Sequence, residues 1–252
     1  MDRLIYTAMS GATQTMNRQA SVAHNLANIS TDGYRSEEHR LRAVQVNPQG
    51  FARATALPTR AFAVDASTHT DFSSGPMLAT GRPLDVAVKG KGFIAVALPD
   101  GSEAYTRAGS LTIDSEGILR TASGRAVQGD GGEIAIPPDS RVVIGEDGTI
   151  SVVPETGSKA LVNAVGRIKL VEPPEADLVR GEDGLFRLAG GGVAPVSETA
   201  RIASGFIEGS NVNPVEQMVA MISLARQFDM QLKMIQNADA NDRAATQILS
   251  PR

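Results

Sequence analysis

The chain has 252 residues, 42% apolar and 21% charged, within the range of ordinary globular proteins. A formal net charge of −4 leaves no basic footprint for nucleic acid, and the absence of cysteine removes disulfides, thiol nucleophiles and thiolate-held metals. Aromatic residues make up 4% with no Trp, so a core must rest on Val, Ile, Leu and Ala.

The opening Met1 to Ser10 lacks the long apolar run of a cleaved secretory leader. No window approaches the ~20 apolar residues of a membrane span, and Phe93 to Leu98 is typical of the longest runs. From Leu4 to Asn28 there is no proline and only one glycine, Gly11. Ile5, Met9, Ala12, Met16, Gln19, Ala23 and Leu26 recur at alternating steps of four and three, which predicts a helix with a narrow, coiled-coil-like seam. Gln19 and the alanines make that seam thin, so the helix is marginal alone in water. Ser30-Thr31-Asp32-Gly33 supplies residues that can close it in the left-handed conformation. Residues 35–80 have weak periodicity and read as an extended connector.

Residues 81–205 are β-like. Leu84, Val86 and Val88 alternate with Asp85, Ala87 and Lys89, and Ile168 and Leu170 with Arg167 and Lys169. Phe93 to Leu98 is apolar on both faces, as in a strand covered on both sides. Turns are expected at Asp100-Gly101, Glu116-Gly117, Ser123-Gly124, Asp147-Gly148 and Asp183-Gly184. After them, Asn213-Pro214-Val215-Glu216 carries a capping Asn and a Pro at the first helical position. Met218, Met221, Ala225, Phe228, Leu232 and Ile235 then alternate by three and four, which predicts a helix from Pro214 to near Leu249.

The expected fold class is α+β: a coiled-coil-like pair of N- and C-terminal helices plus a central all-β domain, an antiparallel barrel or sandwich-like. The boundaries are 1–34 for the first helix, 35–80 for the connector, 81–205 for the β-domain and 206–252 for the last helix. Each helix carries an apolar seam that it cannot bury alone. Packing on one another and on neighbouring chains would bury both seams, and head-to-tail contacts of that kind build open helical filaments.

Groupings that carry chemistry are missing. His24, His39 and His69 do not share a metal-ligand spacing, and Gly90-Lys91-Gly92 lacks the rest of a phosphate-binding motif. Glu146-Asp147 and Glu182-Asp183 precede glycines and read as turns, without the alternating ligands of a calcium loop. The sequence offers no catalytic, cofactor-binding or metal residues, and the expectation is a protein that is not an enzyme, has no cofactor, takes no small-molecule substrate and inserts in no membrane.

Three motifs resemble one family, the flagellar basal-body rod and hook axial proteins. The first is Asn25-Leu26-Ala27-Asn28 with Thr31-Asp32-Gly33-Tyr34-Arg35, preceded by His24 where an Asn is common. The second is Gly81 to Val88 with Gly92-Phe93, then Tyr105-Thr106-Arg107-Ala108-Gly109. The third is Ser210-Asn211-Val212-Asn213 ahead of the last helix. The opening nine residues and the length resemble the proximal-rod members, with distal-rod or hook-type proteins as the alternative. From another class, the alternative is a secreted β-rich binding module.

The resemblance implies a structural subunit of the torque-transmitting rod of the bacterial flagellum. It implies export by the flagellar type III apparatus without a cleaved signal peptide, a periplasmic rod, and partners that are copies of itself and other rod proteins. The residues expected at the assembly interface are Ile5, Met9, Met16, Asn25, Leu26, Asn28, Asn211, Met218, Met221, Phe228, Leu232 and Ile235. The asparagines are expected to fix helix ends or to bridge chains.

Overall fold

The computed structural model describes residues 2–45, 61–154 and 163–249 and divides into two compact units. Unit 1 gathers Met1–Ala27, Ser36–Asp71 and Asn213–Arg252, while unit 2 gathers Asn28–Arg35 and Phe72–Val212.

Unit 1 holds two helices and a hairpin. Helix α1 spans Asp2–Ala27, strands β1 and β2 span Glu37–Gln45 and Ala61–Thr70, and helix α2 spans Pro214–Leu249. The start of α2 follows from its sequence: Asn213 Oδ1 accepts from the backbone N–H groups of Val215 (3.1 Å) and Glu216 (3.4 Å), leaving Pro214 where no donor is needed. β1 and β2 pair antiparallel from Glu37↔Thr70 to Gln45↔Ala61, with a bulge between Arg40 and Leu41. This hairpin lies in the stretch expected as an extended connector, whose residues 46–60 are outside those described. Charged positions such as Glu37, Glu38, Arg40 and Arg42 hide the strand from a hydrophobic pattern, because its pairing rests on the backbone ladder.

Unit 2 is built of short strands, with a 3-10 turn at Glu175–Asp177. In chain order they are β3 (Met77–Ala79), β4 (Val86–Lys89), β5 (Phe93–Ala97), β6 (Glu103–Thr106), β7 (Leu111–Ile113) and β8 (Leu119–Thr121). Next come β9 (Ala126–Gly129), β10 (Gly132–Glu133), β11 (Ser140–Ile144) and β12 (Thr149–Pro154). The last are β13 (Asn163–Arg167), β14 (Leu170–Val171), β15 (Leu178–Arg180), β16 (Phe186–Leu188), β17 (Arg201–Ser204) and β18 (Phe206–Glu208). The main sheet runs β15-β16-β6-β5-β9-β8-β7, with β10 on β9 and β14 on β5. β11-β12-β13 form a second sheet, and β17-β4 and β18-β3 are two-stranded ribbons.

The order helix, β-rich middle, helix is as expected, but the strands do not close into a barrel. The reason lies at β5: β14 takes Phe93 and Ile94 on the edge where β9 takes Val96 and Ala97. An edge divided between two short strands diverges instead of continuing round to closure, which needs one consistent stagger.

β5 is covered on both faces, as its unbroken apolar run predicts. Ile94 packs with Val86, Val88, Leu111, Leu119, Val127, Ile150 and Ile202 on one side. On the other, Phe93 and Ala95 pack with Tyr105, Val171 and Phe186. The Tyr105 hydroxyl accepts from the Ala194 N–H at 2.7 Å, and burial pushes its pKa up to about 12.

All five glycine dipeptides close hairpins of one geometry. Gly101, Gly117, Gly124, Gly148 and Gly184 have φ between 77° and 86° and each donates to the carbonyl three residues back. In each, that earlier residue donates to the carbonyl four residues on, the pattern of a type I turn followed by a left-handed residue.

Candidate assembly interface

Two side-chain contacts set how the helices of unit 1 meet. Thr15 Oγ1 donates to Gln231 Oε1 at 3.3 Å, and Asn25 Nδ2 to Gln217 Oε1 at 3.4 Å, so the helices are antiparallel. The inward row of α1 is Ile5, Ala8, Ala12, Thr15, Gln19, Val22 and Leu26, all buried or half-buried. That of α2 is Gln217, Met221, Leu224, Phe228, Gln231, Ile235 and Ala238. Both rows alternate by three and four. Gly11 admits Gln231, whose Nε2 would stand 3.0 Å from a Cβ at that position.

Ile5, Leu26, Met221, Phe228 and Ile235 are thus in the row facing the other helix of the same chain. Met9, Met16, Met218 and Leu232 stand one position round and are exposed, at 52%, 57%, 53% and 39%. The inward row takes positions 8, 15 and 22 where the most apolar spacing passes through 9, 16 and 23, and 217, 224 and 231 where it passes through 218, 225 and 232. At four of these six pairs, Ala8/Met9, Thr15/Met16, Gln217/Met218 and Gln231/Leu232, the outward residue is the larger apolar one. Polar Thr15, Gln217 and Gln231 break the apolar pattern, although their hydrogen bonds mark the contact.

Outside that row both helices also expose apolar residues. Tyr6 adjoins the exposed methionines of α1, and Val215, Val219 and Ile222 join Met218 on the first turns of α2. Further along, Arg226, Asp229 and Lys233 are exposed, and Arg243 pairs with Asp239 at 2.6 Å.

Asn25 is buried and ties α1 to β1. Its Nδ2 donates to the Glu37 carbonyl at 2.9 Å, and its Oδ1 accepts from the Glu37 N–H at 3.0 Å. The side-chain amide thereby acts as one more rung of the ladder.

In unit 2 the three motifs that carry the family resemblance converge. Asn28 follows α1, where its carbonyl accepts from the Thr31 N–H at 3.2 Å and its Oδ1 from Thr31 Oγ1 at 3.1 Å. Gly33, with φ 67°, has no room for a Cβ against the Arg107 carbonyl group, and its N–H donates to the Glu208 carbonyl at 2.7 Å. Asn211 donates from Nδ2 to the Ser73 carbonyl at 3.2 Å and from its backbone to the Tyr34 carbonyl at 3.3 Å. Beneath these contacts, Glu208 Oε1 accepts from Arg35 Nη2 at 2.7 Å and Oε2 from Arg107 Nη1 at 2.9 Å. The side chains of Arg35, Glu208 and Arg107 are 0%, 2% and 3% exposed. Burial draws the Arg107 guanidinium below its usual range, and Glu208 opposes that shift. The motifs show each residue in its own segment, but not that they close on one carboxylate.

Long terminal helices, apolar on an outward face as well as on the face they share, define a structural subunit rather than a catalyst. Residues 5–35 match the model "Flagella basal body rod protein", 87–152 "Flagellar hook protein FlgE/F/G D1 domain", and 203–248 "Flagellar basal body rod FlgEFG protein C-terminal". The chain is 44% identical to the flagellar basal-body rod protein FlgF of Escherichia coli (strain K12), over 99% of each chain. It is 43% identical to FlgF of Salmonella typhimurium, also over 99% of each, and 33% to FlgF of Caulobacter vibrioides, over 99% of this chain and 98% of the relative. The chain belongs to the FlgF family of flagellar basal-body rod proteins. It is a structural component of the rod, in a family without enzymatic activity.

Proposed function

We propose that the outward rows of α1 and α2 are the surfaces through which this rod subunit polymerises, packing on copies of itself and on other flagellar rod proteins. The observation that carries this reading is the exposure of Met9, Met16, Met218 and Ile222 on helices whose opposite face is already occupied. A contiguous exposed apolar face marks an interaction site in a water-facing protein. The seam between α1 and α2 is read as coiled-coil-like, with Thr15–Gln231 and Asn25–Gln217 as polar layers that lower its stability and fix its register. Residues 1–34 and 206–252 form the assembly core in this reading, and 81–205 is the β-domain it carries. Asn25, Asn28 and Asn211 act by fixing the ends of the segments that lead into it.

A helix pair with a thin seam unfolds at little cost, which suits export by the flagellar type III apparatus without a cleaved leader, followed by docking in a periplasmic, torque-transmitting rod. Met218→Asp and Leu232→Asp each place a charge on the outward row. Both should abolish rod assembly and swimming while hydrogen exchange in the β-domain stays at the wild-type level. Swimming at the normal rate with both substitutions would sink the assignment of these faces.

A further inference from the structure

We propose that residues 31–35 form a detachable strap, which opens from unit 2 while the Glu208–Arg107 pair beneath it stays closed. The inference is independent of which helix faces meet in the rod, and it rests on an asymmetry in the buried cluster. Two guanidiniums share one carboxylate, so docking the strap buries a positive charge that nothing in the cluster balances. Glu172 acts on Arg107 only from an exposed position.

The two arginines are also held unequally. Arg107 has four anchors: Glu208, the carbonyls of Gly90 (2.6 Å) and Val88 (3.4 Å), and the Phe93 ring at 5.1 Å. Arg35 has its single bond to Glu208, and its Nε and Nη1 are buried without a partner. Glu208 does not need Arg35. If Arg35 leaves, Oε1 keeps the Gly75 N–H at 2.9 Å and Oε2 keeps Arg107. The open state thus holds a neutral pair in which only Arg107 Nε is unpaired, while the closed state adds a buried charge with two more unmade hydrogen bonds, a costly arrangement in a low-dielectric interior.

Contacts at the rim keep the strap closed in the ground state. Tyr34 is buried beneath the Arg180 guanidinium, 4.4 Å above its ring, and Arg180 Nη1 donates to the Arg35 carbonyl at 2.8 Å. Gly33 and Tyr34 are held by the backbone of Glu208 and Asn211. Opening frees five residues that shortly follow α1, about 17 Å of extended chain. The strap opens as a loop between α1 and β1, which Asn25 and Glu37 keep together, and it does so without unfolding the β-strands.

Hydrogen exchange of the full chain, read by mass spectrometry, tests this with Arg35→Met and Glu208→Gln. In the wild type, amides of residues 33–35 should exchange much faster than those of β5 and β6. Arg35→Met removes the unbalanced charge and keeps an apolar side chain of similar length. It should slow exchange of the strap about tenfold and leave β5 and β6 unchanged, since replacing poorly compensated buried charges by apolar groups is often stabilising. Glu208→Gln should loosen strap and strands together, because two guanidiniums then face a neutral amide. Exchange of the wild-type strap in step with β5 and β6 would overturn the proposal. Faster strap exchange in Arg35→Met, or loss of protection in its β5 and β6, would overturn it equally, by showing that the ion pair is what holds the unit together.

Discussion

Gly109 and Gly101 are both glycines of unit 2, yet they are glycine for different reasons. A Cβ on Gly109 would fall within the van der Waals shell of the Val86 carbonyl, and the Gly109 carbonyl accepts from the Val86 N–H at 2.9 Å, so neither segment can retreat. Gly101 has open space around it but a φ of 81°. In urea unfolding of the full chain, Gly101→Ala is expected to cost about 1–2 kcal/mol, the strain of one left-handed residue. Gly109→Ala is expected to cost more than about 4 kcal/mol, because backbone must move. Equal losses would show that space at Gly109 is not what excludes a side chain. The dipeptide Asp100-Gly101 announces its turn in the sequence, whereas nothing in the letters around Gly109 states that a second strand passes there. Asn25 is similar: its place in a motif is legible, but its bonds to Glu37 appear only once the hairpin is built. Asn25→Leu should lower the stability of unit 1 by about 1–3 kcal/mol, since it removes both hydrogen bonds from a buried side chain to the Glu37 backbone.

Four of the five hairpin turns carry an acid whose charge the turn itself stabilises. The Asp147 carboxyl is held below its usual range chiefly by the Thr149 hydroxyl at 2.7 Å, and Asp183 chiefly by Arg187 at 2.7 Å. Asp100 is lowered by Ser102 and Asp114 by Arg120 in the same way. Carboxyls lowered by folding lend stability above the unfolded value near ~3.9 and lose it as pH falls through their folded values. Stability of unit 2 should therefore decline below about pH 4, and the decline should be shallower in Asp147→Asn with Asp183→Asn. A parallel acid profile in the double variant would mean that these turns do not contribute. The turns and both helices were legible because each rests on local chemistry, a left-handed glycine or a capped apolar period. The β1–β2 hairpin and the divided edge of β5 were not, since pairing partners distant in sequence decide them. For the same reason the helices were legible but not which row of each faces the other, a choice marked by the polar contacts of Thr15 with Gln231 and Asn25 with Gln217.

At the scale of the molecule, two units of different character share one chain. Unit 2 has a double-sided apolar core around β5, whereas the inward rows of unit 1 carry Thr15, Gln19, Gln217 and Gln231. Unfolding of the unassembled chain should therefore show two transitions, helical signal at 222 nm falling first and Tyr105 environment changing later. A single coincident transition would mean that the helix pair is as stable as the strands.

The pairing of Thr15 with Gln231 also spans 216 positions of sequence. Closing so long a loop costs chain entropy, and unit 2 removes most of that cost beforehand by joining Tyr34 to Asn211, so the helix pair forms after it. A chain still emerging from a ribosome, or from any narrow conduit, holds α1 for most of its passage with no α2 to meet. Completion of the helix pair is thus a signal of length: only a chain delivered almost to its last turn can close it, and a chain cut short near residue 213 would present a folded β-unit with no seam to offer.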